Sequence, residues 1–227
     1  MVKTIVTTET IKTIAERNGV EMYDVYTGFK WIANVMRENE GKKNYIGGGE
    51  ESYGFLCEDF VRDKDAVSAC VILAEIAAWA KDQGLSLYQL LQKIYVEYGF
   101  SKEKGISVVK KGKSGAEEIE AMMKKFRENP LTEIAGSKVT YFYDYSTLKG
   151  KDYAENETVT LDMPTTSNVL QYFTEDNTKV SIRPSGTEPK IKFYCEVHSK
   201  VKNIDELPEA EKAAEEKINQ IKASLGI

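Results

Sequence analysis

The segment RPSGTEP, residues 183–189, gathers groups suited to holding an anion. A guanidinium such as that of Arg183 can grip a phosphate through two parallel hydrogen bonds. Ser185 and Thr187 add hydroxyls, and Gly186 allows backbone N–H groups to converge on a negative charge. Pro184 and Pro189 pre-set the loop and lower the ordering cost of binding. Glu188 does not fit this chemistry, because a carboxylate repels a phosphate. It should turn away, toward a neighbouring Lys. The plain alternative is a hairpin turn, since turns favour Ser, Gly and Pro, although a turn needs neither the Arg nor the Thr.

A second group is GGGEESYGF, residues 47–55. Its glycines permit a sharp turn and close backbone approach to a ligand. The adjacent carboxylates and Ser52 are acceptors of the kind that sugar hydroxyls need. A glycine turn with solvated glutamates is the competing reading. In VRDKDAV, residues 61–67, Arg62 and Lys64 flank Asp63 at the start of a helix, where capping and surface ion pairs account for them without a ligand. The Asp pair lacks a nearby third metal ligand. KKGKSG, residues 110–115, ends like a phosphate-binding P-loop, but that motif puts four residues between its first Gly and the GK pair. Here residues 106–111 separate Gly105 from Gly112, and the match fails.

The chain that must position these groups has 227 residues, 41% hydrophobic and 30% charged, the balance of a soluble globular protein of one or two domains. Its net charge of −5 gives no general attraction for nucleic acid or acidic membrane, so an anion site must be local. Cys57, Cys70 and Cys195 form no CxxC pair, which fits a reduced, cytoplasmic setting. The single histidine, His198, excludes multi-histidine metal sites. No signal peptide or membrane-length apolar run is present.

Residues 1–98 alternate strand and helix signals: strands at 3–7, 22–28 and 44–49, the last breaking into glycines, and helices ending at Gly19 and spanning 29–39. Asp63 is placed to cap a long apolar helix through about Lys81, which reads as buried, and another helix runs from about Ser86 to Tyr98. This order predicts an α/β layer with mostly parallel pairing. Residues 99–227 predict a separate α+β domain: a strand at 105–112, a helix at 116–129, strands at 138–145, 168–175, 179–183 and 190–197, and a closing helix at about 209–224. The polar segment 146–158 reads as a mobile loop.

TGFKWI (27–32), GGGEESYGFL (47–56), VRDKDAV (61–67) and RPSGTEPKIKFY (183–194), in this order, resemble the second half of an α-D-phosphohexomutase, the phosphoglucomutase/phosphomannomutase family. The resemblance implies an α/β three-layer sandwich, N-terminally truncated, over residues 1–98, followed by an α+β domain like the TATA-box-binding protein over residues 99–227. It implies that Glu50, Ser52, Thr27 and Gly28 contact the sugar, with Lys30 beside them. Arg183, Ser185, Gly186 and Thr187 would hold the phosphate that is not reacting, and Lys64 would be a candidate general acid or base. Such enzymes use Mg2+, a phosphoserine and a hexose 1,6-bisphosphate to interconvert hexose 1- and 6-phosphates. The chain has neither a TASHNP-like serine loop nor a DGDGDR-like magnesium loop. The expectation is therefore a C-terminal fragment whose partners are hexose phosphates and the missing N-terminal domains, without turnover alone. A stand-alone, non-catalytic sugar-phosphate-binding module is the alternative.

Overall fold

The chain folds as two units in its computed structural model, which describes residues 1–227. They are Met1–Gly99 with Lys200–Ile204, and Phe100–Ser199 with Asp205–Ile227.

The first unit contains β1 (Val2–Thr4), α1 (Glu9–Arg17), β2 (Tyr23–Val25), α2 (Phe29–Asn39), β3 (Gly47–Gly49), β4 (Phe55–Cys57), α3 (Ala66–Asp82) and α4 (Leu87–Tyr98). Its sheet runs β2-β1-β3-β4. β1 is parallel to both β2 and β3, and β4 returns antiparallel on β3. Val2, Val25, Phe29, Ile32, Met36 and Leu56 form the core beneath α2, whose apolar residues recur at helical spacing. Lys3, 1% exposed, ties β1 to its neighbours through Asp24 at 2.6 Å and Glu9 at 3.0 Å.

Four expectations are corrected here. The strand at 3–7 ends at Thr4, because the chain turns with Thr7 N donating to Thr4 O, and Thr8 caps α1. The glycines at 47–49 do not break a strand; they form it. A Cβ on Gly48 would stand 2.6 Å from both Val2 O and Tyr45 Oη, so only glycine lets β3 lie this close to β1. The cap of α3 is Asp65, which accepts from Ser68 N at 2.9 Å, while Asp63 pairs instead with Lys64. Finally, α3 is apolar on every side yet exposed: Val67 is 74% accessible and Trp79 55%, and Ala80 alone is buried. Apolarity states a demand for burial, and within this unit only β4 and α4 pack against the helix to any extent.

The second unit contains β5 (Phe100–Val109), α5 (Gly112–Glu128), β6 (Glu133–Ile134), β7 (Ser137–Asp144), β8 (Lys149–Asp152), β9 (Glu157–Thr160), β10 (Leu170–Thr174), β11 (Lys179–Pro184), β12 (Lys190–Ser199) and α6 (Leu207–Leu225). The antiparallel sheet runs β5-β12-β11-β10-β7-β8-β9, with β6 on β7. Alternation sends Ile191, Phe193, Cys195 and Val197 of β12 into the core. Phe126 of α5 meets Phe193 edge-on at 6.2 Å, and Ile218 and Ile221 of α6 are fully buried. The expected mobile loop at 146–158 is instead the β8–β9 hairpin, with Lys149 opposite Thr160 and Asp152 opposite Glu157. Lys, Asp and Glu are poor strand formers by propensity, but charged residues suit the edge of a sheet.

Candidate functional site

Glu50–Gly54 is the tip of the β3–β4 hairpin, closed by Glu50 N donating to Gly54 O at 2.8 Å. It stands beside the entry to α2. Gly28 is the N-cap of α2, with φ of 111°, a conformation that favours glycine, and it has no side chain to cap the helix. Glu50 reaches the cap residue itself from another element, its Oε1 accepting Gly28 N–H at 2.6 Å. Negative charge at a helix N-terminus is electrostatically favourable. A Cβ on Gly54 would lie 3.0 Å from Glu50 Oε2 and 3.1 Å from Lys64 Cδ, so Lys64 runs alongside the same tip. The Lys64 ammonium bonds Asp63 at 3.0 Å and lies 5.7 Å from the centre of the Phe29 ring. That pair holds the Asp63 carboxyl below its usual range. Thus Gly28, Glu50 and Lys64 come together, with Thr27 next in the chain. Lys30 points its ammonium over Trp31, at 5.1 Å. Tyr53, with φ of 67°, is fully exposed at the tip.

Glu51, expected only as one of two adjacent acceptors for sugar hydroxyls, is instead tied to neighbouring hydroxyls of the chain itself. Its Oε2 accepts from Thr4 Oγ1 at 3.3 Å and its Oε1 from Ser52 Oγ at 3.1 Å. The missed signal lies 47 residues away, in the hydroxyl of Thr4 at the end of β1.

In the second unit, residues 185–189 are the tip of the β11–β12 hairpin. Pro184 pairs with Ile191, Ser185 N donates to Lys190 O at 2.7 Å, and Lys190 N donates to Glu188 O at 2.7 Å. The Ser185 and Thr187 hydroxyls lie 3.4 Å apart. No hydrogen bond engages the Gly186 amide and no ion pair engages Arg183. Glu188 turns to Lys190, its carboxylate 2.8 Å from the ammonium, and this partner holds its carboxyl below the usual range. A cleft of about 690 Å³ separates the tip from α5, whose Lys124 and Arg127 line the far wall. Arg127 is fixed there by Asp144 at 2.9 Å and Asn168 at 2.7 Å. Neither basic residue stood out in the sequence, because a Lys and an Arg on a charged helix look like solvated surface.

The first unit matches the description "phosphoglucomutase/phosphomannomutase, alpha/beta/alpha domain III" over residues 1–98, and residues 107–214 match that family's C-terminal domain. The chain belongs to the phosphoglucomutase/phosphomannomutase family. A phosphoglucomutase of Staphylococcus aureus is 40% identical over 207 residues, covering 91% of this chain. One from Staphylococcus haemolyticus is 36% identical over 198 residues, covering 87% of this chain. The chain spans 37% and 36% of the lengths of these two relatives. Among solved structures, parafusin (phosphoglucomutase) from Paramecium aligns with a TM-score of 0.59 at 18% identity, over 89% of this chain and 33% of that one. A phosphoglucomutase/phosphomannomutase family protein from Burkholderia thailandensis aligns with a TM-score of 0.55 at 16% identity, over 99% of this chain and 37% of that one. These likenesses carry the fold: a mixed α/β domain followed by a sheet-rich α+β domain.

The family implies magnesium. No group of three or more His, Cys, Asp or Glu side chains converges in a way that could hold a metal ion, so these residues do not fit one. No helix is long and apolar enough to cross a membrane.

Proposed function

We propose that this chain supplies substrate recognition for a phosphohexomutase, which interconverts hexose 1-phosphate and hexose 6-phosphate through a phosphoserine and a bisphosphorylated sugar. Phosphoryl transfer depends chiefly on positioning and charge neutralisation. In this reading Glu50 and Ser52, with the Thr27–Gly28 turn, take the sugar hydroxyls. Arg183, Ser185, Gly186 and Thr187 hold the phosphate that is not reacting. Lys64 exchanges its Asp63 partner for a sugar oxygen and carries a proton. Hydroxyls O3 and O4 are common to glucose and mannose, so these contacts discriminate weakly between them, and EESYG leans the reading to glucose.

The observation that carries the proposal is the state of the β11–β12 tip. Its Gly186 amide is uncommitted and its one carboxylate is neutralised by Lys190, while Arg183, on β11 opposite Lys192 and outside the lining of the cleft, makes no ion pair. Titrating the chain with glucose 6-phosphate and with inorganic phosphate, followed by amide shifts, tests it. Shifts are expected at residues 183–187, and with the sugar phosphate also at 27–28 and 50–52. Arg183→Ala should weaken phosphate binding by about 1.5–3 kcal/mol, the scale of a hydrogen bond to a charged group. If residues 183–187 stay silent at millimolar ligand while remote residues respond, the reading fails. A coupled assay of the chain alone should show no mutase turnover, since it has no TASHNP-like serine loop.

A further inference from the structure

The β3–β4 tip carries a second carboxylate, Glu51, between the two residues assigned to the sugar. Its oxygens serve two different elements. Oε2 accepts from Thr4 Oγ1 at 3.3 Å, and Thr4 is fully buried. Oε1 accepts from Ser52 Oγ at 3.1 Å. An ionised carboxylate only accepts hydrogen bonds, and a hydroxyl has one proton to give. The direction of each bond is therefore fixed. Thr4 spends its proton on Glu51, so in the 2.8 Å contact between Thr4 and Thr7 the donor is Thr7. Ser52 likewise spends its proton on Glu51 and has only lone pairs left for anything else.

We infer that Glu51 is a positioning residue that fixes Ser52 as a hydrogen-bond acceptor. A relay from Thr7 through Thr4 to Glu51 anchors the carboxylate to the end of β1, and the carboxylate sets the Ser52 hydroxyl. Glu50, one oxygen already committed to Gly28, adds a second acceptor at the same tip. The Glu50 and Ser52 side chains then present acceptors and select ligand groups that offer donors, which sugar hydroxyls do and fluorine does not. This rests on the assignment of Ser52 to the sugar above.

The test has one arm without ligand and one with it. In the free chain, the Hα–Hβ couplings of Ser52 should report a single side-chain rotamer. Glu51→Ala should average them, and Glu51→Gln, which still offers Ser52 a partner, should restore them, with amide shifts outside residues 4–8 and 48–54 unmoved in both. Unchanged couplings in Glu51→Ala overturn the inference whatever the ligand does. In the second arm, 3-fluoro and 4-fluoro analogues of glucose 6-phosphate are compared with the parent sugar. The wild-type chain should bind the analogue altered at the ring position facing Ser52 about tenfold more weakly, the scale of one hydrogen bond. In Glu51→Ala the freed hydroxyl can donate, and that penalty should shrink. An equal penalty in both chains overturns the acceptor role. If glucose 6-phosphate leaves the tip unperturbed in every variant, the sugar assignment falls, while the couplings still decide whether Glu51 sets Ser52.

Discussion

Glu188 is the residue of the 183–189 segment that does not suit the proposed anion, and Lys190 accounts for how it could be tolerated there. The two are bonded at 2.8 Å, and the carboxyl is held below its ordinary value of 4.5 by that bond. A depressed carboxyl contributes stability that is present above its unfolded value and lost as pH falls through the lower folded one. The amide shifts of residues 186–190 should therefore be flat between about pH 6 and 8 and move only in acid, below the ordinary carboxylate range. Glu188→Gln removes a negative charge beside the phosphate and frees Lys190, so phosphate affinity should rise; a fall would show that the pair shapes the loop. Cys195 gives a second prediction at this scale. It is 1% exposed, and burial pushes its thiol up to about 12. Iodoacetamide at mildly alkaline pH should label exposed Cys70 in the native chain and reach Cys195 only after unfolding, as read by mass spectrometry. Arg183, Ser185, Gly186 and Thr187 could be singled out as candidates from the sequence because their chemistry is local. The partners of Glu51 and Arg127 could not, because they lie 47 residues away at Thr4 and 41 away at Asn168.

The elements sort by whether their cause is local or tertiary. α2 was readable residue by residue, since Phe29, Ile32, Ala33 and Met36 recur on one face, and α4 begins at Ser86, whose capping box with Gln89 is a sequence signal in itself. β3 was misread because glycine is a poor strand former, and only the approach of β1 explains its choice. Gly48→Ala should thus cost about 1–3 kcal/mol in denaturant unfolding, the usual range for overpacking. Gly150→Ala makes a useful contrast. Its Cβ would stand 2.5 Å from Tyr143 Cδ1. The tightest contact there is with an aromatic side chain and the nearest backbone oxygen, Phe142 O, is 3.1 Å away, whereas at Gly48 the backbone oxygen of Val2 is 2.6 Å away. The loss at Gly150 should be the smaller of the two, and the reverse order would mean that Tyr143 is held more rigidly than the β1 backbone.

At the scale of the molecule, the sequence changes near residue 99 from alternating helix and strand signals to successive strands, while the return of Lys200–Ile204 to the first unit has no such signal. Strand order has none either, because pairing partners are chosen by packing rather than by neighbourhood in the chain. Nor did the sequence show that α3 is uncovered. Its exposed Val67, Val71, Leu73 and Trp79 make a large apolar surface. The native chain should therefore bind a hydrophobic dye such as ANS, and Val71→Lys with Trp79→Lys should reduce that signal without lowering the unfolding midpoint. In the second unit β12 lies between β5 and β11, and pairs with β5 along its whole length, Lys190 opposite Val109 through Ser199 opposite Phe100. During synthesis, β5 leaves the ribosome about eighty residues before its only neighbour in the sheet. At roughly 5–20 residues per second it waits several seconds with both edges open. The closing of this sheet onto β5 is therefore the step at which a nascent chain is most open to mispairing, although the β11–β12 hairpin that carries residues 185–189 pairs independently of it.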